Sequence, residues 1–148
     1  MIERYLFRGK RDDGEWVTGD LVLGKYPVFK GWKEPFILND EGLWEVDPAT
    51  IGQCTGLRDS KRTDECPNGQ LIFEGDILRG TWEDENSVGR IVTSSAPCEV
   101  SWSDNCACFL IEEYETGFIN DIDGGFYKEI EIIGNIHDNP ELVKEGNE

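Results

Sequence analysis

Histidine is nearly absent from this chain of 148 residues: His137 is its one imidazole. Any Ser-His-Asp or Cys-His nucleophilic site would have to be built on it, and it stands in a turn-like Gly-Asn-Ile-His-Asp-Asn-Pro block near the tail, which reads as structure. Positive charge is scarce too, with 14 Lys and Arg against 31 Asp and Glu and a formal charge of -17. Phosphate binding draws its affinity from cationic contacts that release counterions, so nucleic acid is not an expected ligand. The two basic clusters, Arg8-Gly9-Lys10-Arg11 and Arg58-Asp59-Ser60-Lys61-Arg62, are followed by Asp12 and Asp13 and by Asp64 and Glu65. Both read as solvated turns.

Long apolar runs are lacking as well. Stretches such as Phe109-Leu110-Ile111 fall far short of the roughly 20 residues of a membrane helix. The start, Met1-Ile2-Glu3-Arg4-Tyr5, has neither the basic region nor the apolar stretch of a signal peptide. The expectation is a cytoplasmic protein with no membrane partner. No Gly-rich phosphate loop precedes a helix, and the five cysteines include no Cys-x-x-Cys pair. An odd count without an export signal favours free thiols. Cys106-Ala107-Cys108 is the closest spacing, and on a strand it would set two thiols on one face as small, half-buried residues.

What is present points to a folded, mainly β protein. The chain is 38% hydrophobic and 11% aromatic, enough large apolar surface to offset ordering entropy. The length suits one domain or two small subdomains. Short β-prone runs alternate with Gly, Pro and Asn turns: Tyr5 to Arg8, a turn at Asp13-Gly14, Glu15 to Thr18, Leu21 to Leu23, Val28-Phe29, Pro35 to Leu38, and Leu43 to Val46. After Asp47-Pro48, residues 49–56 read as a turn followed by a strand. The stretch from Arg58 to Gly69 has almost no large apolar residue and reads as an exposed loop.

The second half repeats this grammar with Leu71 to Phe73, Asp76 to Arg79, a polar loop around Trp82 to Asn86, Gly89 to Thr93, Cys98 to Trp102, Cys108 to Glu112, a turn at Gly124-Gly125, and Tyr127 to Ile133. Strands at this spacing suggest a small barrel or sandwich. At the tail, Asn139 as N-cap, Pro140 in first helical position and Glu141 predict a helical turn or two. The expected organisation is a β-rich N-terminal subdomain over 1–57, an exposed connecting loop over 58–70 and a small barrel over 71–148, or one continuous domain.

Two carboxylate motifs have residue types that could carry chemistry. Glu74-Gly75-Asp76 could hold a divalent cation or share a proton, but a Gly-Asp step opening a strand uses glycine for the bend and the carboxylate to accept backbone N–H groups. Asp121-Ile122-Asp123-Gly124-Gly125 resembles the opening of a calcium loop, yet its twelfth position is Ile132 in place of the bidentate Glu. The sequence therefore assigns no catalytic, cofactor-binding or metal-ligating residue.

Three blocks resemble the YopX-like family of bacteriophage and prophage proteins. They are Phe7-Arg8-Gly9-Lys10 with Gly14-Glu15-Trp16-Val17 and Gly19-Asp20-Leu21; Val46 to Asp59 continuing at Asn68 to Leu78; and Ile132 to Leu142. Their order is the family's, and they span nearly the whole chain. The connection Ser60 to Pro67, with Cys66, is longer than the family's, and Cys54 and His137 stand where relatives commonly carry Tyr, which argues against family-wide roles for these three residues. The resemblance implies a C-terminal small barrel similar to an SH3-type roll and brings no activity with it. The functional expectation is a non-enzymatic interaction module whose partner is a phage or host protein, with self-pairing through a sheet edge left open. The alternatives are an acidic DNA mimic blocking a host nucleic-acid-binding protein, and a carboxylate enzyme borrowing a divalent cation.

Overall fold

In the computed structural model, the described residues are 5–23, 35–86, 89–122 and 127–145. The protein is mainly β, with one short helix at its C-terminal end, and divides into two compact units, Met1–Gly56 and Leu57–Glu148. The expected run at Val28-Phe29 and the turn at Gly124-Gly125 lie outside the described residues. Among the described residues no helix is long and apolar enough to cross a membrane.

The first unit is built from β1 (Phe7–Lys10), β2 (Trp16–Val22), β3 (Phe36–Asn39), β4 (Gly42–Glu45) and β5 (Asp47–Arg58, whose last two residues fall in the second unit), in the order β4-β3-β2-β1-β5. Phe36, Ile37, Val46 and Cys54 are its buried apolar residues. Two strands run further than expected. Gly19-Asp20 does not break β2, because the strand must pass the β3 backbone closely: a Cβ on Gly19 would sit 2.2 Å from the Leu38 carbonyl oxygen. Asp47-Pro48 belongs to β5, with a bulge in its pairing to β1. There the Lys10 N–H bonds the Thr50 hydroxyl at 2.8 Å, and the Ala49 N–H bonds Asp47 Oδ1 at 3.0 Å. The turn expected at the start of residues 49–56 is present in these bonds, folded into an irregular strand.

The second unit contains β6 (Leu71–Phe73), β7 (Asp76–Asn86), β8 (Gly89–Ser94), β9 (Cys98–Ser103), β10 (Cys108–Glu113), β11 (Ile119–Asp121), β12 (Glu129–Asn135) and α1 (Pro140–Glu145). Its sheet runs β11-β10-β9-β7-β12, with β8 pairing the far half of β7. Among the described residues the path ends at β11 and β12. The core gathers Ile72, Leu78, Cys98, Val100, Phe109, Ile111 and Ile122, with Leu57, Tyr127, Ile130 and Ile132 packed against it. Alternation along β9 places Cys98 and Val100 inside, whereas Trp102 is 42% exposed at the margin, edge-on to Phe109 at 5.0 Å.

The polar stretch Trp82 to Asn86, expected as a loop, is strand: it pairs residue for residue with β8, from Thr81 opposite Ser94 to Asn86 opposite Gly89. A hairpin arm needs only cross-strand partners, and a polar pattern does not forbid it. The tail helix starts at Pro140 as expected, but the Asn139 side chain points backward. Its Oδ1 accepts the Asn135 N–H at 3.2 Å, while the Asn139 carbonyl takes the Leu142 N–H at 3.1 Å. Gly134 makes room for it, since a Cβ there would come within 2.5 Å of that oxygen.

Candidate functional site: a charged cleft beside Trp44

In the first unit three local structures converge on a cleft. The β1–β2 turn is closed by the Gly14 N–H on the Arg11 carbonyl at 3.0 Å, with Gly14 at φ +87° and the Glu15 N–H on Asp13 Oδ1 at 3.0 Å. This Asp-Gly turn supplies Arg11, Asp12 and Asp13. At the β3–β4 turn, Asn39 Oδ1 accepts both the Glu41 N–H and the Trp44 indole N–H at 3.0 Å, and its amide donates to the Thr18 carbonyl at 3.1 Å. Asn39 thereby fixes the plane of the Trp44 ring. The β4–β5 corner is pinned by buried Val46 lying across Gly9, where a Cβ would meet the valine methyl at 2.7 Å.

Lys10, Arg11, Asp12, Glu45, Val46, Asp47 and Pro48 line a cleft of about 480 Å³, and Arg11, Asp12, Asp13, Trp44 and Glu45 line an adjoining one. The Arg11 guanidinium lies over the Trp44 ring, 4.4 Å from its centroid, and pairs with Asp13 at 2.9 Å. Nearby, Arg8 and Lys10 lie 4.8 and 5.9 Å from the centroid of Trp16. The basic cluster read as a solvated turn is thus packed onto two indoles, where cation–π attraction and stem burial hold it. Sequence reading missed this because Trp16 and Trp44 reach the turn from other strands. The pairing of Lys10 with Trp16 across the hairpin was the one legible signal.

The other sequence-derived candidates are scattered over the second unit. Arg58 donates to the Gly69 carbonyl at 2.9 Å, Arg62 to the Asp59 carbonyl at 3.1 Å, and Lys61 pairs with Glu131 at 3.3 Å. In the Glu74-Gly75-Asp76 step, Gly75 is at φ +90° and buried Asp76 accepts the Phe73 N–H at 2.7 Å. That is the turn geometry expected of a strand-opening Gly-Asp. Asp59, which sequence reading did not single out, is the other buried carboxylate among the described residues. Its oxygens accept the Gln70 N–H at 2.8 Å and the Ile132 N–H at 3.2 Å. His137 donates its backbone N–H to Asn135 Oδ1 at 3.0 Å in the turn after β12.

All five cysteines are free. Cys106 and Cys108 do not share a strand: Cys106 is exposed in the turn before β10, next to Ala107 at φ +52°. A four-residue β9–β10 connection needs one left-handed residue, and that displaces Cys106 from the ladder. Cys54 is fully buried. Buried Cys98 is held in its thiol form chiefly by desolvation, helped by the Glu113 charge and opposed by hydrogen bonds from Ser95 and Tyr127. Burial likewise raises the phenols of Tyr127 and Tyr114, the latter also donating to Glu99 at 2.5 Å. Among the described residues no three or more His, Cys, Asp or Glu side chains form a group that could hold a metal ion.

A family model described as YopX protein matches residues 6–144, nearly the whole chain. The chain belongs to that family. No curated protein matches it.

Proposed function

We propose that this YopX-family chain is a phage or prophage accessory protein that acts in the host cytoplasm as a non-enzymatic interaction module, a β scaffold whose partner is a phage or host protein. The observation that carries the reading is the distribution of charged groups. The buried carboxylates Asp59 and Asp76 accept backbone N–H groups, while unburied charges of both signs, Arg11 with Asp12, Asp13 and Glu45, are collected beside Trp44. That is a recognition surface more than a reaction centre: aromatic and Arg side chains dominate binding energy at interfaces. Affinity capture of the tagged protein from infected cells is the test. Repeated recovery of one stoichiometric partner is expected, and none above background under several conditions would remove the reading. Titration calorimetry with Mg²⁺, Mn²⁺ and Ca²⁺ addresses the competing enzyme, which requires tight binding at one site.

A narrower second reading, an acidic mimic of DNA, is favoured by the β9–β10 register, which sets Glu99 directly opposite Glu112. Like charges across a ladder cost stability, and a functional surface is one reason to retain them. Loss of a captured partner to competing duplex DNA is its expected signature. A partner indifferent to DNA removes it.

A further inference from the structure

We propose that Asn68 is a site of spontaneous deamidation, a one-way modification gated by opening of the loop over residues 58–70. Asn68-Gly69 is the one Asn-Gly step in the chain. Glycine leaves its amide nitrogen unshielded, because no Cβ stands beside it. Asn68 is exposed, and its carboxamide makes no hydrogen bond among the described residues, so it is free to rotate towards that nitrogen. Folding blocks the reaction at the other atom. The Gly69 N–H is donated to the Cys66 carbonyl at 3.1 Å, closing a turn, and a nitrogen held there cannot reach the Asn68 carboxamide. What holds the turn is slight. Residues 60–65 are exposed, and the loop is pinned by polar contacts, with Arg58 on the Gly69 carbonyl at 2.9 Å and Arg62 on the Asp59 carbonyl at 3.1 Å. Segments with few buried apolar contacts open at a fraction of the global unfolding free energy.

In the open loop the Gly69 nitrogen, its proton lost to solvent base, attacks the side-chain carbonyl carbon of Asn68. The new C–N bond closes a succinimide, and the carboxamide nitrogen leaves as ammonia. Water then opens the ring at either carbonyl to give aspartate or isoaspartate, so the sum is water consumed and ammonia released, with no oxidant or reductant. Isoaspartate carries an extra backbone methylene, and the surroundings of Gly69 have no slack for it. A Cβ on Gly69 would already collide with the Asp59 carbonyl oxygen and with Arg62 Nη1. The next residue, Gln70, gives its N–H to Asp59 Oδ1 at 2.8 Å and accepts the Asp59 N–H at 2.9 Å. A longer backbone misplaces these bonds together, so the modified loop stays open and the change runs one way.

The test incubates the full chain at mildly alkaline pH, native and in guanidinium chloride, and follows its tryptic peptides by mass spectrometry. The mass gain of an amide exchanged for an acid is expected at Asn68 ahead of every other Asn, and is absent in Asn68→Gln, whose longer side chain closes a ring far more slowly. The native chain reacts at least about tenfold more slowly than the unfolded one, since modification tracks the open fraction. Isoaspartate-bearing protein, identified by enzymatic isoaspartyl methylation, is cut by trypsin at Lys61 and Arg62 several-fold faster than the unmodified chain. Asn68→Asp adds the charge without the methylene and is cut at the unmodified rate. A native chain still intact at Asn68 after prolonged incubation, equal rates in native and unfolded chains, or Asn68→Asp cleaved as fast as the isoaspartate form each overturns the proposal.

Discussion

The strongest structural commitment in the second unit is Asp59, and truncating it gives a quantitative forecast. Its carboxylate joins the first residue after β5 to two segments distant in sequence, through the Gln70 N–H at 2.8 Å and the Ile132 N–H at 3.2 Å, and it is 3% exposed. A hydrogen bond to a charged group contributes about 1.5–3 kcal/mol. Gln70 is exposed and can rebond to water, so that loss falls at the low end. Ile132, paired with Leu78 in the ladder, has less access. Adjacent bonds remain, because Ser60 donates its N–H to Ile130 at 2.7 Å and its hydroxyl accepts from Ile130 at 3.0 Å. The net expectation for Asp59→Ala is about 3 kcal/mol, or roughly 6–12 °C in Tm for a chain of this size. Asp59→Asn keeps one acceptor and should lose about half as much. Thermal melting followed by circular dichroism measures the global term. Trypsin cleavage at exposed Lys61 and Arg62 measures local opening of residues 58–70 and should accelerate at least several-fold. Melting within about 2 °C of wild type together with unchanged cleavage would refute the argument.

Replacing Gly19 with Ala should lower Tm by several degrees, because a Cβ 2.2 Å from the Leu38 carbonyl forces β2 and β3 apart, and strain of this kind costs about 1–3 kcal/mol; equal melting to wild type would mean the strands do not approach so closely. With a thiol reagent in the native state, Cys106 should react first and Cys54 and Cys98 only on unfolding, following their exposure; early labelling of Cys54 or Cys98, read by mass spectrometry, would contradict the fold. Stability should fall as pH rises past the ordinary values of 9.0 for the thiol and 10.0 for the phenols. Between those values and their raised native ones the unfolded chain has lost protons that the native chain still holds, which favours unfolding. Tyr114→Phe should flatten this alkaline loss, while costing about 1 kcal/mol at neutral pH for the hydrogen bond to Glu99; an unaltered alkaline slope in melting temperature against pH would count against burial of that phenol.

Much of the architecture was legible because it is written locally. Asp13-Gly14 and the Asn39 to Gly42 turn hold their information within four residues, and so does the Pro140 helix start, apart from the direction of the Asn139 side chain. The extensions of β2, β5 and β7 were not legible for the opposite reason. Gly19-Asp20, Asp47-Pro48 and Trp82 to Asn86 look like interruptions to any local rule, and they are strands only because a neighbour lies close or supplies a substitute bond, as Thr50 does for Lys10. The same divide separates the candidate site from its sequence signature. Arg8, Lys10 and Arg11 were visible as a basic cluster, but their meaning depends on Trp16 across one hairpin and Trp44 from β4, and no spacing rule joins residue 11 to residue 44. Asp59 went unnoticed because its acceptors' partners lie 11 and 73 residues away. Acidic composition alone would treat every carboxylate as solvating charge. Among the described residues the folded chain sorts them differently: Asp59 and Asp76 are buried on backbone N–H groups, Asp13, Asp47 and Glu113 accept backbone N–H groups nearer the surface, and only the rest are left to solvent and to side-chain partners.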